Sequence, residues 1–205
     1  MGKNIFKKIV QTVMRSILDF IKWIHAHQQI LVYALLMITA SIYFIYTLGY
    51  SSNWAMVVSE TRGTYFYRAS QQANRLMNEL GFILLIISLL TLGFSSMSRK
   101  KFYTSNIVLS ILSIVMLIVN ATLTFYYNMV LRVMYERITE IEVPAYLYIT
   151  HGAGEKSYAI FDLGYYIVGL MILSALLLGI ILIRKLKTQR ERAKLIERLV
   201  QANER

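Results

Sequence analysis

The chain has 205 residues, no cysteine, one proline and a formal net charge of +11. Hydrophobic residues make up 57% and charged residues 16%, against roughly 45–50% and about 25% in soluble domains, so the composition excludes an ordinary soluble globule. The lack of cysteine excludes disulfides, thiolate metal sites, thiol chemistry and palmitoylation.

Four long apolar stretches divide the chain, at about residues 30–50, 80–96, 105–127 and 158–183. Three are long enough to cross a hydrocarbon core of about 30 Å as an α-helix, and 80–96, with 17 residues, is at the short end of the range for a transmembrane helix. The pattern predicts an all-α integral membrane protein with a four-span domain over 30–183. Flanking it are an amphipathic N-terminal segment, 1–29, and a basic tail, 184–205. Sixteen of the 22 basic residues and 4 of the 11 acidic ones fall in the two tails and the short link 97–103. The connections 51–79 and 128–157, with Asp162, hold the remaining 6 basic and 7 acidic residues. Cytoplasmic flanks of membrane spans are enriched in Lys and Arg, so the asymmetry predicts a cell-membrane protein with both termini in the cytoplasm.

Residues 3–24 carry Ile5, Ile9, Val13, Ile17 and Ile21 at four-residue spacing, with Lys3, Lys7, Lys8, Arg15 and Lys22 mostly on the other side of the wheel. That pattern predicts a helix lying in the membrane interface, anchored by Trp23. A tail of 29 residues before the first span is too long for the n-region of an ordinary signal peptide. Span 1 brings Tyr43, Tyr46 and Tyr50 to one face at its outer end, which predicts an aromatic belt.

After Gly63, the apolar positions Tyr65, Ala69, Ala73, Leu76 and Leu80 predict a helix that leads into span 2. Arg99, Lys100 and Lys101 form a tight inner corner, so spans 2 and 3 form an antiparallel hairpin. Ser105 or Asn106 is positioned to cap span 3. Charge pairs at helical spacing, Arg132 with Glu136 and Arg137 with Glu140, predict that span 3 continues as a solvated helix to Glu142. Pro144 and the glycines at 152 and 154 end it. Span 4 runs without a helix breaker into Arg184, Lys185, Lys187 and Arg190. These four, with the N-terminal lysines, Arg15 and Trp23, form the predicted face for anionic inner-leaflet lipid or a partner.

Polar residues inside membrane spans are where function is sought first. Asn120 is the one amide deep in a span and Asp162 stands in the first turn of span 4. Both are candidate interhelical polar contacts, and Thr124 or Asn128 matches the depth of Asp162. Asn106, Ser110, Ser113 and Asn120 share one face of span 3. They form either an interhelical seam or, in a homo-oligomeric channel, a pore lining. Gly164, Gly169, Ala175 and Gly179 on span 4 are candidate helix-packing positions.

No arrangement of residues supports catalysis. The stretch 152–157 is not a phosphate-binding loop, because Glu155 separates the glycine from Lys156. His25, His27 and His151 do not fall at facing depths within a bilayer, so they give no haem or metal set. The sequence predicts no enzyme, no cofactor, no metal and no nucleic-acid partner. It predicts instead an auxiliary subunit of a larger membrane assembly concerned with transport, secretion or signalling. A small homo-oligomeric channel with span 3 as its polar helix is the alternative.

Overall fold

A computed structural model describes residues 27–48, 64–96, 103–137 and 158–203, together with Met14, Asp19 and Trp23. Among the described residues there are four helices long enough to number and no strand. Helix α1 covers His27–Leu48, α2 Thr64–Ser96, α3 Tyr103–Glu136 and α4 Ala159–Asn203. All four contain a stretch long and apolar enough to cross a membrane.

The packing follows from where each helix buries its side chains. On α3, Asn106, Ser110, Ser113, Leu117, Ala121, Thr124, Asn128, Leu131 and Tyr135 are buried. Those positions advance by three or four residues at a time, the spacing of a helix whose side chains interdigitate with neighbours at a shallow crossing angle. Helix α1 repeats the rule with Tyr33, Leu36, Ala40, Tyr43 and Thr47, and α2 with Phe66, Ser70, Ala73, Met77, Leu84, Ser88 and Thr91. The opposite faces are apolar and exposed, for example Ile45, Leu89, Ile118 and Leu176. A helix that is apolar on its outward face as well as its inner one suits a membrane span.

Helix α3 packs along both α2 and α4. Helix α1 reaches each of the others through side chains: Tyr33 to α3, Thr39 to α4 and Met37 to α2. Contact pairs fix the directions. Tyr33 and Tyr46 of α1 meet Asn106 and Asn128 of α3 in the same order along the chain. Thr39 and Gln28 of α1 meet Ser174 and Arg184 of α4 in reverse order. The result is an up-down-up-down arrangement, with α1 and α3 parallel to each other and antiparallel to α2 and α4.

Three sequence expectations are corrected. Helix α3 ends at Glu136, with Arg137 N donating to Met134 O in a closing turn, rather than at Glu142. Residues 138–142, over which the continuation was expected, lie outside the described residues. Helix α3 starts at Tyr103, so Asn106 is inside the first turn and its amide serves neighbouring helices instead of a cap. Tyr43 and Tyr46 are buried and form no belt, because their rings face the bundle. Tyr50, Glu140 of the Arg137–Glu140 pair, the 152–157 stretch, His25 and His151 lie outside the described residues.

Gly81 and Gly164 permit two close approaches. A Cβ on Gly81 would stand 3.1 Å from the Tyr43 ring. One on Gly164 would overlap the Asn128 amide nitrogen and lie 2.5 Å from Tyr46 Oη. Gly169 and Gly179 have nothing within 4 Å of such an atom. Of the four candidate packing positions, therefore, Gly164 and the buried Ala175 act within the bundle, whereas Gly169 and Gly179 do not. Gly164→Ala is expected to cost about 1–3 kcal/mol through overpacking, read as a lower midpoint of thermal unfolding in detergent by circular dichroism. Gly169→Ala is expected to be neutral or to gain up to about 1 kcal/mol from helix propensity.

Candidate functional site, a polar spine inside the bundle

Thirteen polar side chains are buried among the described residues, and six of them are on one face of α3. Most of them fall into three layers, and side chains of α1 take part in each.

In the layer nearest the tails, Tyr33 Oη donates to Asn106 Oδ1 at 2.8 Å and lies 3.3 Å from Ser110 Oγ. Lys185, arriving from α4, donates from Nζ to Tyr33 Oη at 2.7 Å and to Asn106 Oδ1. Its ammonium also stands 5.0 Å from the Tyr33 ring centroid, within the range of a cation–π contact. Asn106 Nδ2 donates to the Thr91 carbonyl at 3.4 Å, and the Thr91 and Ser113 hydroxyls are 3.1 Å apart. One asparagine on α3 thus ties together all four helices. Just beyond this layer, Arg184 donates to Gln28.

In the middle layer, Thr39 Oγ1 and Ser174 Oγ pair at 2.7 Å across α1 and α4. Ser88 donates to its own helix at Leu85 O, 2.8 Å away, and contacts Met37 Sδ at 3.3 Å. Asn120 is fully buried, but its Nδ2 donates to Met116 O of its own helix at 2.8 Å. Its Oδ1 has no hydrogen-bond partner. The expected interhelical contact of Asn120 is therefore corrected: the amide turns back along α3, because the carbonyl one turn earlier is its nearest acceptor.

In the outer layer, Thr124 Oγ1 donates to Tyr43 Oη at 3.1 Å. Tyr46 Oη donates to Asn128 Oδ1 at 3.1 Å, and Asn128 Nδ2 passes the connection on to Phe161 O at 3.2 Å. At the rim, Arg132 Nη1 donates to Asp162 Oδ1 at 3.1 Å. Asp162 does bond α3, but through Arg132 rather than Thr124 or Asn128. Arg132 lies one turn further out than Asn128, at a level where both charges stay partly in solvent. Its guanidinium is also 5.3 Å from the Tyr158 ring centroid.

Asn106, Ser110, Ser113 and Asn120 thus share one face, and that face is turned into the bundle of their own chain. The outward face of α3 carries Val108, Ile111, Val115 and Ile118. The partners that sequence reasoning passed over are Tyr33, Tyr43 and Tyr46 on α1, Thr91 on α2 and Lys185 on α4. Tyr33 and Tyr43 were legible as members of one three-and-four stripe with Leu36 and Ala40. Lys185 read as one more basic flank. Of the predicted inner basic face, Arg184, Lys187 and Arg190 are exposed, whereas Lys185 turns inward. Trp23 is exposed and stacks on His27 with ring centroids 4.9 Å apart, and Lys3, Lys7, Lys8, Arg15 and Lys22 lie outside the described residues.

Among the described residues, no three His, Cys, Asp or Glu side chains stand close enough to hold a metal ion. The hydroxyls and amides of the spine bond to one another and to backbone carbonyls. What this arrangement does chemically is fix helix pairing and register.

No protein-family model, curated protein or solved structure matches the chain. The functional reading therefore rests on the geometry.

The three layers make unequal predictions. Asn128→Leu removes the side-chain bonds to Tyr46 Oη and Phe161 O and is expected to cost about 1–3 kcal/mol. Asn120→Leu removes an oxygen that bonds nothing and is expected to leave stability unchanged or raise it. Asp162→Asn breaks an ion pair whose side chains are 36% and 55% exposed, and is expected to cost under about 1 kcal/mol. Reversible unfolding of the three variants in one detergent tests the ranking. Asn120→Leu as the most damaging of the three would overturn it.

Proposed function

We propose that the protein is a non-catalytic, multi-pass subunit of a larger membrane assembly concerned with transport, secretion or signalling. It sits in the cell membrane with both termini in the cytoplasm. It docks through its tails and its outer helical extensions, and its inner basic residues meet anionic lipid.

The observation that carries this reading is the end of α4. The helix continues for 20 residues past Ile183 without a break. On that extension Leu195 is 57% exposed and Ile196 62% exposed. Ile196 lies about 19 Å beyond Ile183 at 1.5 Å per residue, so the bilayer interior does not reach it. An ordered helix with apolar residues in water is a surface that a protein covers. On the opposite side, α2 begins at Thr64 and α3 runs to Glu136, where Phe66 packs on Tyr135 with ring centroids 5.5 Å apart. That cap is more structure than a bare anchor needs. The inward turn of the α3 polar face supports the same reading. Copies arranged in a ring would present one another with apolar surface rather than with a pore lining.

The test is purification of the full-length protein in mild detergent at native expression. A stoichiometric second polypeptide is expected, and Leu195→Glu with Ile196→Glu is expected to reduce its recovery at least tenfold while the four-helix fold, read by circular dichroism, is unchanged. Recovery of this chain alone, as a single homo-oligomeric species, would overturn the proposal.

A further inference from the structure

The outward faces of α3 and α4 change character along their length. Over the middle of the bundle they carry aliphatic side chains, among them Ile118, Leu173, Leu176 and Ile180. Further out they turn aromatic. Phe125 and Tyr126 of α3 are about half exposed, and Tyr166 of α4, at 77%, is the most exposed of the large hydrophobic side chains described. Phe125 stands edge-on to Tyr165 with ring centroids 5.8 Å apart, so the two helices bring these rings to one level. Beyond them the first charges appear, Arg132 and Asp162, paired at 3.1 Å. A tyrosine has an apolar ring and a hydroxyl that needs a partner, and it suits a boundary where one end is apolar and the other wet.

The spacing of the helices says which boundary. Tyr166 is 18 residues from Arg184, about 27 Å at 1.5 Å per residue. Tyr126 is 20 residues from Asn106, about 30 Å by the same rise. A hydrocarbon core is about 30 Å thick. Charge agrees with this span. Residues 27–48 of α1, 80–96 of α2, 103–131 of α3 and 163–183 of α4 hold no Asp, Glu, Lys or Arg. Glu79, Arg132 and Asp162 bound the band at one end and Arg184 at the other. The bundle is thus complementary in charge to a bilayer, neutral over the hydrocarbon and charged on both sides of it. On α3 the neutral run, about 43 Å long, exceeds what the hydrocarbon needs, so there the tyrosine and not the charge marks the edge.

We propose that Phe125, Tyr126, Tyr165 and Tyr166 form an aromatic belt that lies in the headgroup and glycerol region of the outer leaflet. With Arg184 at the inner edge, the belt sets the depth of the bundle in the bilayer. The rings lie against lipid and the hydroxyls reach toward water, as amphipathic side chains do at an interface. The belt is one-sided: near the same level α1 presents Ile45 and Leu48 outward, which have no polar tip to hold there. The α3–α4 face at this level is a lipid face rather than a subunit contact. The inference rests on the membrane reading above and needs no docking partner.

The chain has no cysteine, so a nitroxide label can be placed at one position at a time. Ile118→Cys, Tyr126→Cys, Met129→Cys, Tyr166→Cys, Leu176→Cys and Ile183→Cys all replace exposed side chains and leave the polar spine intact. The full-length variants are reconstituted in vesicles of phosphatidylcholine and phosphatidylglycerol. Collision with oxygen against collision with a water-soluble nickel chelate reads the depth of each label. Shallow labels are expected at Tyr126, Tyr166 and Ile183, with those at Ile118 and Leu176 about 10–15 Å deeper. Tyr126→Leu with Tyr166→Leu removes both polar tips. In the Met129→Cys chain that pair is expected to raise the oxygen-to-nickel ratio at least twofold, as the bilayer edge moves out toward Arg132. With Ile118 and Leu176 deep, three results would each overturn the proposal. They are a Tyr166 label as deep as Leu176, a Tyr166 label shielded by protein from both reagents, or a Met129 label that the leucine pair does not move. Labels at Ile118 and Leu176 that meet nickel as freely as Met129 would overturn the membrane reading and this inference with it, so the two failures are told apart.

Discussion

Inside a bilayer a hydroxyl or an amide has no water to turn to, and every one placed there must find a partner in the protein. That requirement organises this chain. The six polar side chains on the inner face of α3 would be a liability in lipid, and α1, α2 and α4 receive five of them, while Asn120 turns back on its own helix. Tyrosines of α1 supply hydroxyls at the ends of long rings, and those rings reach Asn106, Thr124 and Asn128. Each such bond is worth little alone, about 0.6 kcal/mol on average in a membrane. Their value lies in refusal: sliding α1 by one turn along α3 would leave several of them unmade at once.

Lipid tails are as apolar as leucine, so burial of leucine does not choose between registers in a membrane. Shape and polarity have to do it. Gly164 provides shape, because only a residue without a Cβ lets Tyr46 and Asn128 meet beside α4. Asn106 provides polarity, because its amide is shared with α1, α2 and α4. The middle of the bundle is specified less tightly, with one hydroxyl pair between α1 and α4 and a buried amide oxygen on Asn120 that bonds nothing.

Four helices and their approximate limits were legible in the sequence because hydrophobic length and charge are one-dimensional signals. The shared face of Asn106, Ser110, Ser113 and Asn120 was legible for the same reason, since the period of a helix is known in advance. Which helix those residues would meet was not legible. Tyr43 and Tyr46 show why: tyrosine at the end of a span serves equally as an interfacial anchor or as a buried donor, and only the facing Thr124 and Asn128 decide. Lys185 shows the same limit from the other side. A lysine after a span ordinarily extends toward water, and nothing in its own neighbourhood along the chain announces an asparagine on α3.

Helix α4 is a single element of 45 residues, about 67 Å from end to end at 1.5 Å per residue. It has no glycine or proline after Gly179, so it is stiff in torsion from the half packed in the bundle to its tip. Successive residues on a helix are about 100° apart. A rotation of that size at the tip would swing Lys185 away from Tyr33 and Asn106, and would part Ser174 from Thr39. The helix is therefore a shaft as well as a strut, and torque applied at its tip is felt at the hydrogen bonds inside the bundle.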